Sequence, residues 1–297
     1  VNKDPKNAKI SIINGKIKIT PEVTGMKIQK DKLRQAIISQ INGDISQKNI
    51  KIEAQVETIK PEITKEKLSS INTPIASFST SFASSTEGRI NNIELATKAI
   101  NGTLLMPGET FSFNEVVGER TRARGYKEAG VIVNGEIEAG LGGGICQVSS
   151  TLYNAILHSG IKPYERRNHS LPSSYVAKGL DATVDWGNID LKFKNTTDGP
   201  ILIWSEMIGN RLYMGFYGKE KAPKVIWNHE ISDLVEPSIR YIKNENLEPG
   251  ESRTVIKGMK GATVKSTVTI FFRDGHYIIK NMGISYYNPL PTIIEIN

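Results

Sequence analysis

Three consecutive glycines, Gly142-Gly143-Gly144, lead directly into Ile145-Cys146-Gln147-Val148-Ser149-Ser150-Thr151-Leu152-Tyr153-Asn154-Ala155-Ile156-Leu157-His158-Ser159-Gly160. Val148, Leu152, Ala155 and Ile156 recur at helical spacing and Gly160 stops the pattern, so this stretch predicts a helix. Glycines reach dihedrals closed to other residues and let another segment approach closely. Cys146 then falls at or just before a helix N-terminus, where unpaired N–H groups and the macrodipole favour a thiolate. The same N–H groups can hold a developing oxyanion beside the sulfur. Two readings of this pattern stand side by side. One is a nucleophile facing a peptide substrate; the other is a tight turn packing helix on strand, with Cys146 as a small buried hydrophobe.

Cys146 is the single cysteine of the chain, so no internal disulfide forms. The four histidines are scattered and no ligand set has zinc-finger spacing, so neither metal nor cofactor is expected. The formal net charge of +7 comes largely from lysines. These alternate with Ile and Val, as in Lys16-Ile17-Lys18-Ile19, which suits the wet face of strands. No basic block with interleaved aromatics and no nucleic-acid motif is present. An anionic, teichoic-acid-rich wall would suit the charge. No stretch approaches the roughly 20 apolar residues of a membrane span, so any membrane anchor is expected in a segment ahead of Val1.

At 297 residues the chain predicts two or three domains. The expected fold is multidomain α+β. Residues 1–72 form a small α+β unit, residues 73–222 a central α+β catalytic domain with an antiparallel sheet, and residues 223–297 an all-β module. In the first segment, alternation on both sides of Asn14-Gly15 predicts a hairpin. Asp31 is expected to cap a helix with Leu33, Ala36, Ile37 and Ile41 on one face. Lys51 to Ile59 alternates as a strand, Pro61 and Thr64 open a helical turn, and Ile71 to Ser85 reads as a connector. In the middle, Arg89 to Ile100 is a helix ended by Asn101-Gly102. Pro107-Gly108 is a turn, and Asp190 to Phe193 and Ile201 to Tyr217 are strands. Toward the end, Thr263 to Phe272 and His276 to Tyr286 flank an Asp274-Gly275 turn. Such long hairpins leave little room for a catalytic pocket.

A thiolate nucleophile needs a base and a group to orient it. His169, in the polar loop Arg166-Arg167-Asn168-His169-Ser170, suits the first role. His158 ends the Cys146 helix, where a cation complements the dipole; His229 and His276 read as surface residues. Asp181 and Asp185 are both candidates to hold His169 in one tautomer, and either equally suits a turn. Arg120, Arg122, Arg124, Arg166 and Arg167 cluster around the glycine run. Their planar forks match carboxylates, although exposed arginines also simply solubilise.

Phe111-Ser112-Phe113-Asn114, Gly118, Arg120-Thr121, Gly125-Tyr126, the Gly-Gly-Gly-Ile-Cys-Gln-Val-Ser-Ser-Thr-Leu-Tyr-Asn-Ala run, Glu165-Arg166, His169-Ser170, Tyr175 and Gly179 with Asp181-Ala182-Thr183 together resemble the VanW family. Residues from about 8 to 68 resemble a peptidoglycan-binding domain. The C-terminal part, with Pro249-Gly250, Gly258 and Gly261, resembles a divergent five-glycine wall module. The resemblance implies an extracellular protein of a Gram-positive-type cell wall that acts on peptidoglycan stem peptides and glycan. It further implies an L,D-transpeptidase in which Cys146 attacks a tetrapeptide stem, D-alanine leaves, and a second stem's diamino acid resolves the acyl-enzyme. His169 and Asp181 complete the catalytic set. Arg120, Tyr126, Gly142, Gly143, Gly144, Gln147, Ser149, Arg166 and Tyr175 are expected to contact substrate. A cysteine carboxypeptidase or hydrolase and a non-catalytic wall-binding adaptor remain as alternatives.

Overall fold

The computed structural model describes residues 2–13, 16–41, 51–133 and 136–297. The chain divides into two compact units, Val1–Ser70 and Ile71–Asn297.

In the first unit, Lys9–Ile13 pairs antiparallel with Lys16–Thr20. Ile10, Ile12, Ile17 and Ile19 are half-buried while the intervening lysines are exposed, which is the wet-face arrangement expected. The Asn14-Gly15 turn itself lies outside the described residues. Gly25–Ile28 pairs with Val56–Ile59, so the strand expected from Lys51 is confined to its last four residues. Gly25 allows this packing, because a Cβ there would sit 2.5 Å from the Pro5 nitrogen. The helix Lys30–Ile41 places Asp31 within its first turn and not at the cap. Leu33 and Ala36 are half-buried, but Ile37 and Ile41 are exposed. Thr64 caps Lys65–Ser69, its hydroxyl accepting from Lys67 N at 3.3 Å.

The second unit is built on a four-stranded antiparallel sheet in the order Thr73–Ser81, Arg211–Gly218, Ile201–Ile208, Leu104–Leu105. The expected connector from Ile71 to Ser85 is therefore a strand over most of its length. Its Ser and Thr content masked an alternation that the register with Arg211–Gly218 exploits. Two helices, Glu87–Ile100 and Ile145–His158, pack on this sheet and on each other. The second is buried along almost its whole length; only Cys146 and His158 escape. Ile93, Ile100, Leu152 and Ile156 from the helices meet Phe111, Phe193 and Phe216 in one core.

From Lys224 onward the described elements are all strands. Lys224–Val235, Gly261–Phe271 and Tyr277–Tyr287 form an antiparallel three-stranded sheet. Gly275 turns the second hairpin at φ +89°. Ile239–Lys243, Thr292–Ile296 and Ser252–Ile256 form another, in which the first pair is parallel. Val268 and Ile270 of the long hairpin belong to the same core as the helices. Among the described residues no helix is long and apolar enough to cross a membrane.

Leu152 is fully buried in this core, whereas Ile208 is 52% exposed at a strand end. Leu152→Ala is expected to cost about 2–5 kcal/mol in urea unfolding. Ile208→Ala is expected to cost at most about 1 kcal/mol, the span of strand propensity. Equal costs would contradict a core centred on the Cys146 helix.

Candidate active site

The glycine run is needed by the chain's packing on itself. Gly142 (φ +85°) and Gly144 (φ +104°) are left-handed, and Gly144 is the N-cap of the Ile145–His158 helix. A Cβ on Gly143 would lie 2.6 Å from the Gly130 carbonyl oxygen. One on Gly144 would meet Arg89 and Ile93 at 2.9 to 3.1 Å. Buried Asn92 fixes the turn, donating to Gly143 O (3.0 Å) and Lys127 O (2.9 Å). The Ile145 and Gln147 amides are taken by Gly142 O and Gly144 O.

Cys146 is thus the second residue of a helix that no side chain caps, and it stays partly exposed. Its thiol donates to Val184 O at 3.5 Å and hydrogen-bonds the His169 imidazole. His169 is 7% exposed. Its Nδ1 lies 2.6 Å from Asp181 Oδ2, and its backbone N–H donates to the same oxygen at 2.7 Å. The structure brings Cys146, His169 and Asp181 together. Asp185 goes elsewhere, closing the turn to Ile189 and accepting from Asn188 Nδ2 at 2.7 Å.

Asp181 is almost fully enclosed and held from several directions. Arg166 Nη2 donates to its Oδ1 at 3.1 Å and the Tyr287 hydroxyl to the same oxygen at 2.5 Å. Tyr287 Oη also accepts from Gly179 N at 2.6 Å. Arg166 spends its remaining donors on Asp181 O, Gly179 O and Ser285 Oγ, so its fork braces the site from within. The long C-terminal hairpin, expected to leave little room for a catalytic site, therefore contributes Ser285 and Tyr287 to the bracing of this one.

Electrostatics follow from this enclosure. Burial pushes the Cys146 thiol up, but the His169 hydrogen bond and charge, a backbone hydrogen bond with Val184 and the charge of Arg120 outweigh it, and its pKa lies below the ordinary value. Burial pushes His169 down, but Asp181 and Cys146 raise it to about 10. Burial likewise opposes ionisation of Asp181, and His169 and Arg166 more than reverse this. These shifts run in the direction of a thiolate–imidazolium pair.

Ser149, one of the expected substrate contacts, is buried and donates to Ala182 O at 2.6 Å. Gln147 Nε2 donates to Thr80 Oγ1 and Ser81 O, both at 2.9 Å, while its buried Oε1 has no partner. Tyr126 is 4% exposed and lies in the core. Arg120 lies near the nucleophile, its guanidinium carbon 5.6 Å from the Phe113 ring centroid and 6.0 Å from that of Trp186. Nη1 donates to Asn114 Oδ1 at 2.8 Å and buried Nη2 is unpartnered. Arg122 pairs with Glu128, and Arg124 donates to Val117 O and Glu119 O. Arg167 bridges to Thr183. Tyr175 hydrogen-bonds Ser150, and burial, then the negative charges of Cys146 and Asp181, raise its phenol. His158 stacks on Phe78, and burial lowers its pKa, which weakens the expected cationic role at the helix end. His229 and His276 are exposed, as anticipated.

Sequence reasoning missed Ser150, Asn154, Arg89 and Tyr287. The helical spacing of Ser150 and Asn154 with Cys146 was the available signal for the first two. For Tyr287, 106 positions from Asp181, no local pattern exists.

Because the chain has one cysteine, alkylation reads this site alone. Iodoacetamide labelling of Cys146 is expected to rise with pH at a midpoint below that of a free thiol, about 8.5. In His169→Ala the midpoint is expected to move up, because burial then has only the Val184 backbone and Arg120 against it. A wild-type midpoint at or above 8.5 would contradict the ion pair.

Residues 88–217 match the family described as "VanW like protein", and residues 1–49 match "Putative peptidoglycan binding domain". The uncharacterized protein YoaR of Bacillus subtilis (strain 168) is 39% identical over 249 residues, covering 84% of this chain and 78% of that protein. The vancomycin B-type resistance protein VanW of Enterococcus faecalis (strain ATCC 700802 / V583) is 33% identical over 162 residues, 53% of this chain and 57% of that protein. The Cys146 helix lies within the matched region. The chain belongs to the VanW family and joins its VanW-like region to a peptidoglycan-binding domain, which ties its role to the cell wall.

Proposed function

We propose that this protein is a cysteine L,D-transpeptidase of peptidoglycan, working outside the cell at a Gram-positive-type wall. The observation that carries the reading is the Cys146–His169–Asp181 constellation at the start of a buried helix. A purely structural cysteine has no use for a buried imidazole beside it that is itself held by a buried carboxylate.

Cys146 Sγ attacks the carbonyl between the third residue and terminal D-alanine of a tetrapeptide stem. The negative charge passes to the carbonyl oxygen, which the Cys146 N–H at the helix N-terminus would hold. The C–N bond to D-alanine breaks as the His169 imidazolium gives its proton to the leaving amine. A thioester and neutral His169 remain. The side-chain amine of another stem's diamino acid then attacks the thioester. His169 takes its proton, the C–S bond breaks, and a cross-link between two third residues leaves with the thiolate restored. Asp181 stays ionised and holds His169 in one orientation. Water in place of the amine would make the same site a carboxypeptidase. The peptidoglycan-binding domain, and the C-terminal segment through its resemblance to a wall module, raise the effective concentration of the site at its substrate.

Mass spectrometry of the protein incubated with disaccharide-tetrapeptide tests this. A dimer that has lost one D-alanine is expected with wild type and not with Cys146→Ala. Trimmed monomer alone would replace transfer by hydrolysis. Binding to sacculi with no turnover would overturn the enzyme reading in favour of an adaptor.

A further inference from the structure

A groove of about 680 Å³ runs beside the Cys146 helix, and nothing in the mechanism above uses it. One wall is the Ser79–Ser85 stretch, which begins at the free edge of the four-stranded sheet. Across from it stand Gln147, Tyr175 and Arg89. The volume falls within the range of roughly 300–1,000 Å³ typical of ligand sites. It is far more than the single leaving residue needs.

Two features show what the groove lacks. Arg89 is half-buried, its guanidinium carbon 6.0 Å from the Tyr175 ring centroid, and Nη1 donates to Ser85 Oγ at 2.6 Å. Among the described residues no carboxylate forms an ion pair with it. A partly desolvated cation without a counter-ion is costly unless a ligand supplies one. The second feature is Gln147, 1% exposed, whose amide nitrogen is anchored to Thr80 and Ser81 while Oε1 is left without a donor. The groove thus presents a guanidinium without an ion-pair partner and the edge of a strand, while Gln147 Oε1 stays buried in its wall. A peptide bearing a carboxylate complements the first two, since it carries an anion and an extended backbone. A neutral glycan lacks the anion.

We propose that this groove is the acyl-donor subsite: the stem peptide lies extended along the Ser79–Ser81 edge, and a carboxylate of it pairs with Arg89. This assignment rests on the transpeptidase reading for its choice of peptide, but not for the chemistry of the groove. Arg89 sits in the first turn of the Glu87–Ile100 helix and packs on Gly144. It therefore fixes the peptide relative to the residue that opens the Cys146 helix.

Binding without turnover tests the subsite. Calorimetry on Cys146→Ala protein would compare disaccharide-tetrapeptide with the same ligand after amidation of its carboxylates. The expected result is roughly tenfold or more weaker binding on amidation, in line with loss of a charge-assisted hydrogen bond. Arg89→Gln in the Cys146→Ala background should weaken the acid form to a similar degree and leave the amide unchanged; Arg89→Lys should recover part of the loss. Equal affinity for acid and amide would overturn the subsite, and this comparison needs no variant at Arg89 to fold. Carboxylate-dependent binding beside a wild-type protein with no turnover would uphold the groove and overturn the transpeptidase alone.

Discussion

The arrangement depends on the lacing of one helix to the segment that carries Asp181. Ser149 and Ser150 donate to Ala182 O and Cys146 O, Ser150 accepts from Ala182 N, and Asn154 donates to Leu180 O. All three side chains are buried. Buried hydroxyls and amides left unpaired would cost about 1–3 kcal/mol each, so the segment from Leu180 to Val184 is held in one register. That register puts Val184 beside Cys146 and Asp181 against His169. The polar residues in an otherwise apolar helix are thus part of what positions the nucleophile.

This explains how much was legible in the sequence. Helical periodicity gave the Cys146 helix and its stop, and glycines ahead of a cysteine gave its exposed N-terminal turn. His169 stood out because its loop was polar. Choosing between Asp181 and Asp185 was beyond local pattern, since both sit among turn residues and only the three-dimensional course of residues 165–190 separates them. The strand at Thr73–Ser81 was hidden for a related reason. Its Ser and Thr residues are turn formers in isolation, and only its pairing with Arg211–Gly218 makes them strand residues. The contribution of Tyr287 was illegible in principle, because a contact 106 residues away leaves no periodic trace.

The glycine run shows the same limit from the other side. Its sequence equally suited close approach by a substrate or by the chain itself. The neighbours of Gly142, Gly143 and Gly144 are Arg120, Ala129 with Gly130, and Arg89 with Ile93. Packing at Gly143 and Gly144, with the left-handed φ of Gly142 and Gly144, thus demands glycine here. Through that packing, both unpaired arginines are set against the turn that ends in Cys146.

The Cys146 sulfur is set against His169, and Asp181 is balanced by Arg166. Arg89 and Arg120 are left over; burial lowers the pKa of both, and neither has an ion-pair partner among the described residues. Each costs folding free energy that a surface lysine would not, since desolvating a guanidinium without a counter-ion is unfavourable. Arg120 helps to lower the Cys146 pKa and Arg89 feels the same sulfur, so part of their charge already serves the nucleophile. The surplus positive charge is complementary to an anionic ligand on either flank of the sulfur, and binding such a ligand would recover the cost. An anionic peptide aligned by two arginines across Cys146 would arrive with its scissile carbonyl already positioned, and for a reaction between two bound chains such alignment is the largest part of the barrier that a protein can remove in advance.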